Sequence, residues 1–295
     1  MSDPFLSYIP RIAQYYQTLG YGEPYRWHIH DKVHFSAFNG LLVEKTVAIV
    51  TTSALVRDGV GDQGPRAAYN GAAKFFKPYR MPHEPEPALS VAHIAYDRSH
   101  SPATDQQAWF PSKALKRSED EGTIFKRAAN FYGLPTNRSI RATKEDGIEI
   151  ISMLREDQVD AVLLIPNCPV CHQSCSIVAN MIEGAGIPTV VMGCAKDIVE
   201  HIGVPRFLFS NHPLGNGAGK PHDELAQMTT LREALGLLES AKQPRTTVHS
   251  QSLWANDFSW QDDYSNARKL SDEEIQRRRL EFDRQKANAH AVKKN

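Results

Sequence analysis

Short, almost wholly apolar stretches alternate with longer mixed segments through the middle of the chain, and they set the expected architecture. Thr46-Val-Ala-Ile-Val-Thr-Thr52 is brief, β-branched and bounded by polar residues, the pattern of a strand buried on both faces. Val91-Ala-His-Ile-Ala-Tyr96 gives a second expected strand after the proline-rich loop from Pro78 to Pro87. The strongest strand pattern is Val159-Asp-Ala-Val-Leu-Leu-Ile165; Pro188-Thr-Val-Val-Met192 follows it, and Phe207-Leu-Phe209 adds another. Helical periodicity and stop signals place helices over 9–19, 123–132, 144–156, from the cysteine-bearing loop to Gly184-Ala-Gly186, and over 224–241. Strand, helix, strand at this spacing is the βαβ unit of a parallel sheet. The expectation is an α/β fold, a mainly parallel sheet flanked by helices, in two lobes with the site between them.

The segmentation follows from the same pattern. Residues 1–45 form an N-terminal arm and 46–143 a first α/β lobe. Residues 144–242 form a second lobe carrying the cysteine loop, and 243–295 a C-terminal extension. In that extension Ser271-Asp-Glu-Glu274 has capping-box form and opens a charged helix to about Ala289. Its few apolar positions, Ile275, Leu280 and Phe282, mark a solvated or subunit-docking appendage.

Charge narrows the function classes. Lys+Arg and Asp+Glu both number 34, so the formal net charge is zero, unlike a chain built to coat nucleic acid or an anionic membrane. No apolar run nears the roughly 18 residues that a membrane span needs. The opening Met1-Ser-Asp-Pro-Phe lacks the basic and apolar regions of a signal peptide. A cytoplasmic, homo-oligomeric protein acting on a small molecule is expected, with no nucleic acid and no membrane partner.

The chemistry concentrates in Cys168-Pro-Val-Cys171-His-Gln-Ser-Cys175, with Cys194 shortly after. Clustering of this kind, without a secretion signal, favours metal binding or thiol chemistry over structural disulfides. The loop lies where a strand ends and a helix begins, the edge at which open α/β sheets bind ligands. There a thiolate gains from the helix dipole and from backbone N–H groups. One reading makes Cys168 the nucleophile, with Cys171 or Cys175 resolving the adduct. The other makes Cys168, Cys171, Cys175 and Cys194 ligands of zinc or of a 4Fe–4S iron–sulfur cluster. His172 is available as an acid or base, although a histidine on a helix surface is more often solvated.

Two glycine-rich stretches are set aside. Gly59-Val-Gly61-Asp-Gln-Gly64 has dinucleotide-fingerprint spacing but does not follow its strand directly. Gly215-Asn-Gly-Ala-Gly219-Lys220 lacks phosphate-loop spacing and reads as a flexible turn able to close over a substrate.

Val159-Asp-Ala-Val, Cys168-Pro-Val-Cys171 and Ile182-Glu-Gly-Ala-Gly-Ile-Pro188-Thr-Val-Val together resemble the selenoprotein B subunit family of glycine, sarcosine, betaine and D-proline reductases. Counting back from Ala185-Gly-Ile-Pro188, Cys168 falls on that family's selenocysteine and Cys171 on its partner cysteine. Val47–Thr52, Gly61-Asp-Gln-Gly-Pro-Arg66, His93-Ile-Ala-Tyr-Asp97-Arg-Ser-His100 and Asn211-His212-Pro-Leu-Gly-Asn216 resemble further family segments, so the likeness covers most of residues 8–225. It implies reductive cleavage: attack by the chalcogen, departure of a leaving group such as an amine, and release by thiols. Some members work with a pyruvoyl-bearing partner subunit. Cysteine in place of selenocysteine makes a less nucleophilic centre and implies a divergent member.

Supporting residues are expected around that loop. Asp97 orienting His100 would form an acid–base pair; Asp62 and Arg66 would bind polar or carboxylate groups of the substrate. His212 and Asn216 would line the site, and Trp109-Phe110 would supply an apolar wall, while His93 reads as a satisfied core histidine. The leading expectation is a cysteine-dependent reductase cleaving a C–N or C–S bond, re-reduced by a thiol donor or reductase partner. The alternatives are an iron–sulfur desulfidase, a cysteine-based racemase with Cys194 as the second thiol, and a non-catalytic thiol or metal carrier subunit.

Overall fold

Alternate residues of β1 (Thr46–Thr51) reach opposite faces of one sheet, which is why that strand is apolar throughout. Val47 and Ile49 join the core packed beneath α2 (Ser112–Asp120) and α6 (Glu224–Ser240). Ala48 and Val50 join the core packed beneath α3 (Ile140–Glu156) and α4 (Pro169–Gly184). The computed structural model that shows this three-layer α/β/α arrangement describes residues 4–55, 77–91, 93 and 95–294.

The remaining strands are β2 (Ala54–Leu55), β3 (Tyr79–Pro82), β4 (Leu89–Ser90), β5 (Lys126–Arg127), β6 (Asn130–Gly133), β7 (Ala161–Ile165), β8 (Thr189–Gly193), β9 (Arg206–Phe209) and β10 (Thr246–His249). The main sheet runs in the order β10-β9-β8-β7-β1-β6-β3, with β5 also pairing β1. Every pairing in it is parallel except that of the edge strand β3 with β6. Residues 46–143 and 144–242 meet within this sheet, since β1 pairs along Val47–Thr51 with Ala161–Ile165 of β7. From β1 the chain winds one way to β6, and from β7 the other way to β10. The β1/β7 junction is therefore the switch point of the sheet, where the C-terminal strand ends leave a crevice.

Two sequence expectations give way here. Residues 123–132 do not form a helix: α2 precedes them, and β5 and β6 occupy them, with the aromatic Phe131 and Tyr132 buried in the sheet. β4 ends at Ser90, before the expected strand at 91–96, and pairs with β2; within that stretch Ala92 and Ile94 lie outside the described residues, and Ala95 and Tyr96 lie in a turn. The carbonyls of Val91 and His93 are taken by the Arg98 guanidinium instead of a neighbouring strand.

Three further α-helices lie among the described residues. α1 (Tyr8–Thr18) packs on α5 (Lys196–Ile202), sharing Tyr8, Ile12, Ile198 and Ile202 with Leu214 and Tyr264 in a third apolar cluster. α7 (Asp272–Lys294) lies against the arm: the Phe282 ring meets Tyr16 and Tyr21, and Tyr21 Oη donates to Asp283 at 2.7 Å. The tail helix is thus docked on its own chain. No helix among the described residues is long and apolar enough to cross a membrane.

Candidate active site

The loop after β7 is built to hold a cysteine at a helix N-terminus. Cys168 is the N-cap of α4, in extended conformation, and its Sγ accepts the N–H of Cys171 at 3.2 Å. Pro169, the first helical residue, gives up an N–H that the helix would leave unused. Asn167 ties this loop to the end of β1: its N–H donates to Thr52 Oγ1 at 3.0 Å and its Nδ2 to Ser53 Oγ at 2.7 Å. The cysteine loop is thereby fixed over the switch point, with the positive end of the α4 dipole favouring negative charge on the sulfur.

Cys171 lies one helical turn inward and is fully buried. Its Sγ is 3.5 Å from His93 Nε2 and 3.5 Å from Thr136 Oγ1. Burial pushes this thiol up, but Cys168, His93 and Thr136 together outweigh it and hold Cys171 well below the ordinary thiol range. The negative charge therefore favours the buried sulfur, whereas only Cys168, of the four cysteines, faces open space. Cys168 and Cys171 are joined side chain to side chain, so the two thiols titrate as one unit. His93 Nε2 also lies 2.9 Å from the Thr52 carbonyl. It is a member of the site, not the core histidine that its place in an apolar stretch suggested. His93, Cys168 and Cys171 present ligand atoms within 4.8 Å of one another, the one such trio among the described residues.

His172 is fully buried, not solvated on the helix surface. Its Nδ1 donates to the Cys168 carbonyl at 2.7 Å, and its Nε2 accepts the N–H groups of Cys194 and Ala195 at 3.0 and 3.2 Å. Burial lowers it to about 4. Both nitrogens are committed, so His172 is a neutral strut between the β7 and β8 loops and has no free position for proton transfer.

Above Cys168 opens a cavity of about 700 Å³. It is enclosed by α1, the following arm, the turn at Tyr264 and α7, which bring Tyr25, Trp27, Tyr264, Phe282 and Lys286 to its walls, while Cys168 and His93 lie at its sheet end. The Tyr25 hydroxyl is held by Gln173 Nε2 at 2.6 Å, and Gln173 Oε1 accepts the His28 N–H at 2.9 Å, so α4 itself positions the aromatic wall. This aromatic chamber was not legible in the sequence, because its walls come from the two ends of the chain.

Other expected residues fall elsewhere. Asp97 and His100 do pair, at 3.0 Å, but the other ring nitrogen lies 3.5 Å from Asp263, and neither residue lines the cavity. Burial raises Asp97, with His100 opposing. Asn216 Oδ1 accepts from Tyr96 and Ser101, and His212 spans the carbonyls of Asn216 and Ser252. Both are buried framework in a turn that is packed, not flexible: a Cβ at Gly215 (φ +107°) would strike the Tyr96 ring. Trp109 and Phe110 are fully buried in the α2/α6 core, not in the cavity wall. Cys175 sits in the α3/α4 core, its thiol raised by burial and by Cys171. Cys194 belongs to the α1/α5 cluster and is pushed up to about 12 by burial. Neither joins the His93–Cys168–Cys171 trio, and neither lines the cavity. Gly59–Gly64, Asp62 and Arg66 lie outside the described residues.

No family model matches the chain, and no solved structure matches it. Among curated proteins it is similar to D-proline reductase subunit gamma of Acetoanaerobium sticklandii, 31% identical over 150 residues, 50% of this chain and 61% of that protein. It is also similar to glycine reductase complex component B subunit gamma of Carboxydothermus hydrogenoformans, 29% identical over 220 residues, 72% of this chain and 48% of the relative. The protein of the same name from Symbiobacterium thermophilum is 28% identical over 219 residues, 72% and 49% of the two chains. The chain thus spans about half to three fifths of the length of these relatives.

Proposed function

We propose, from the similarity to D-proline reductase subunit gamma and glycine reductase complex component B subunit gamma, that this chain is the thiol-bearing subunit of a reductase that cleaves a C–N or C–S bond of a small organic molecule. One observation carries the reading: Cys168 is the cysteine that opens on the cavity, and Cys171 stands directly behind it.

The chemistry balances on these two residues. Cys168 passes its proton to Cys171 and attacks carbon, forming a C–S bond as the amine or thiol departs with the bonding electrons and takes up a proton. Cys171, deprotonated again, then attacks the Cys168 sulfur. The C–S bond breaks, its electrons go to carbon, which is protonated, and a Cys168–Cys171 disulfide remains. The substrate is reduced by two electrons and the thiol pair is oxidised by two; an external dithiol returns them. Carbon leaves readily only beside a carbonyl or similar acceptor, which restricts the substrate class.

His93 and Thr136 hold charge on Cys171 between the steps, and the aromatic walls give the adduct an apolar surface to lie against. Because the relatives are named as subunits, a partner subunit that supplies or activates the substrate is part of this proposal.

The test is anaerobic single turnover of the reduced chain with a panel of amino and thio acids, with and without extract fractions, followed by mass spectrometry of the thiols. Loss of one thiol pair per product, mapped to Cys168 and Cys171 and abolished in Cys168→Ser, supports the reading. Product formation that survives Cys168→Ser overturns it.

A further inference from the structure

We propose that His93, Cys168 and Cys171 also form a site for one soft divalent cation, Zn²⁺ in the first instance, whose binding reversibly closes the thiol pair to chemistry. The site itself rests on geometry alone; only the closing of the reaction rests on the proposed reductase function.

Three donors of the right kind converge: two sulfurs and an imidazole, all within 4.8 Å of one another. In a tetrahedral zinc centre with Zn–S of about 2.3 Å and Zn–N of about 2.0–2.1 Å, the S···N edge comes to about 3.5 Å. Cys171 Sγ and His93 Nε2 stand 3.5 Å apart. The two cysteines share the N-cap and third position of one rigid helix start, so their relative position is set before any ion arrives.

No carboxylate belongs to the trio, so the donor set selects Zn²⁺ over Mg²⁺ or Ca²⁺. Three protein ligands leave a fourth position. Since Cys168 and His93 both line the 700 Å³ cavity, that position faces it and takes water or a small ligand.

The balance of protons and bonds sets the character of the site. Both thiols must lose their protons, so binding strengthens as pH rises. His93 Nε2 must also exchange its 2.9 Å contact with the Thr52 carbonyl for the metal. Losing that contact makes the ion removable, unlike one in a closed four-ligand structural centre. With zinc bound, both sulfurs are ligands, so neither attack nor resolution can proceed.

The experiment titrates the full, phosphine-reduced chain with Zn²⁺ in competition with a chromophoric chelator, and repeats it with Co²⁺ to read thiolate-to-metal absorption. Wild type is expected to take one ion per chain and to ignore excess Mg²⁺. His93→Gln and Cys171→Ser, each checked for folding by circular dichroism, are expected to bind at least about 100-fold more weakly; Cys175→Ala is expected to bind as wild type. Zinc should also protect Cys168 from alkylation in the unaltered protein. Binding that is indifferent to His93→Gln, or that needs Cys175, or the absence of a stoichiometric ion, overturns the site. A chain that binds zinc yet cleaves nothing sinks the reductase reading and leaves the site standing.

Discussion

His172 donates its Nδ1–H to the carbonyl of Cys168 at 2.7 Å, so the backbone carrying Cys168 hangs on a buried imidazole. Since Nε2 meets two N–H donors from Cys194 and Ala195, the hydrogen-bond network assigns the neutral Nδ1–H tautomer.

The first prediction concerns the pH response of this strut. Burial lowers His172 from 6.5 to about 4, so between those values the unfolded chain binds the proton that the folded one refuses. The neutral imidazole's contribution is complete above pH 6.5 and falls as pH drops towards 4. The stability gap between wild type and His172→Gln should therefore narrow, by about 2 kcal/mol between pH 7.5 and pH 5. Urea unfolding of both proteins at the two pH values measures it, and a gap that stays constant contradicts the neutral tautomer.

The sheet was legible in the sequence because strands buried on both faces leave runs such as Val47–Val50 and Ala161–Ile165 almost without polar residues. The cysteine loop was legible because strand end, proline and CxxC spacing are all local. His93 was not: its partner Cys171 lies 78 residues away, and its place between apolar neighbours in the sequence reads as core. β10 was missed because a half-exposed edge strand, Thr246–His249, carries little apolar patterning. The cavity escaped for a related reason, since helices far apart in sequence meet there only through tertiary packing.

A second prediction follows from the three contacts on Cys171. Removing the imidazole in His93→Gln withdraws one of the groups that offset burial, so the Cys171 thiol should rise towards and above its ordinary range. In wild type one buried thiolate is expected at neutral pH, visible in the ultraviolet thiolate absorbance. In His93→Gln that absorbance should appear only on raising the pH. An unchanged titration would remove His93 from the site.

Arg206 and Glu183 provide a third. They pair at 2.7 Å with both side chains fully buried, and the guanidinium also donates to the Ser36 carbonyl, fastening the arm to α4 and β9. Burial pushes Glu183 up and Arg206 down, each opposed by its partner, so the pair is costly to break and little better than neutral to keep. Arg206→Met alone should destabilise by about 3–5 kcal/mol. Combining it with Glu183→Gln should recover part of that loss, because no unpaired charge then remains. Denaturant unfolding of the single and double variants checks this, and an additive double variant would contradict it.

The last prediction treats α7 as a removable wall. Phe282 lies edge-on to Tyr16 and Tyr21, with centroids at 5.5 and 5.3 Å, and its ring faces the cavity above Cys168. Each such aromatic contact is worth about 0.5–1.5 kcal/mol beyond area burial. The helix itself contributes nothing to the two cores that sandwich the sheet. Phe282→Ala should therefore raise the open population locally, without shifting the main unfolding transition. Alkylation of Cys168 by a bulky maleimide should accelerate by about tenfold, on the scale of one to two lost aromatic contacts, while a small reagent such as iodoacetamide gains much less. Any substrate held against that wall should show a higher KM with kcat little changed, since the sulfurs and His93 remain in place. Equal acceleration for both reagents would mean that the change loosens the cysteine loop instead of opening the chamber.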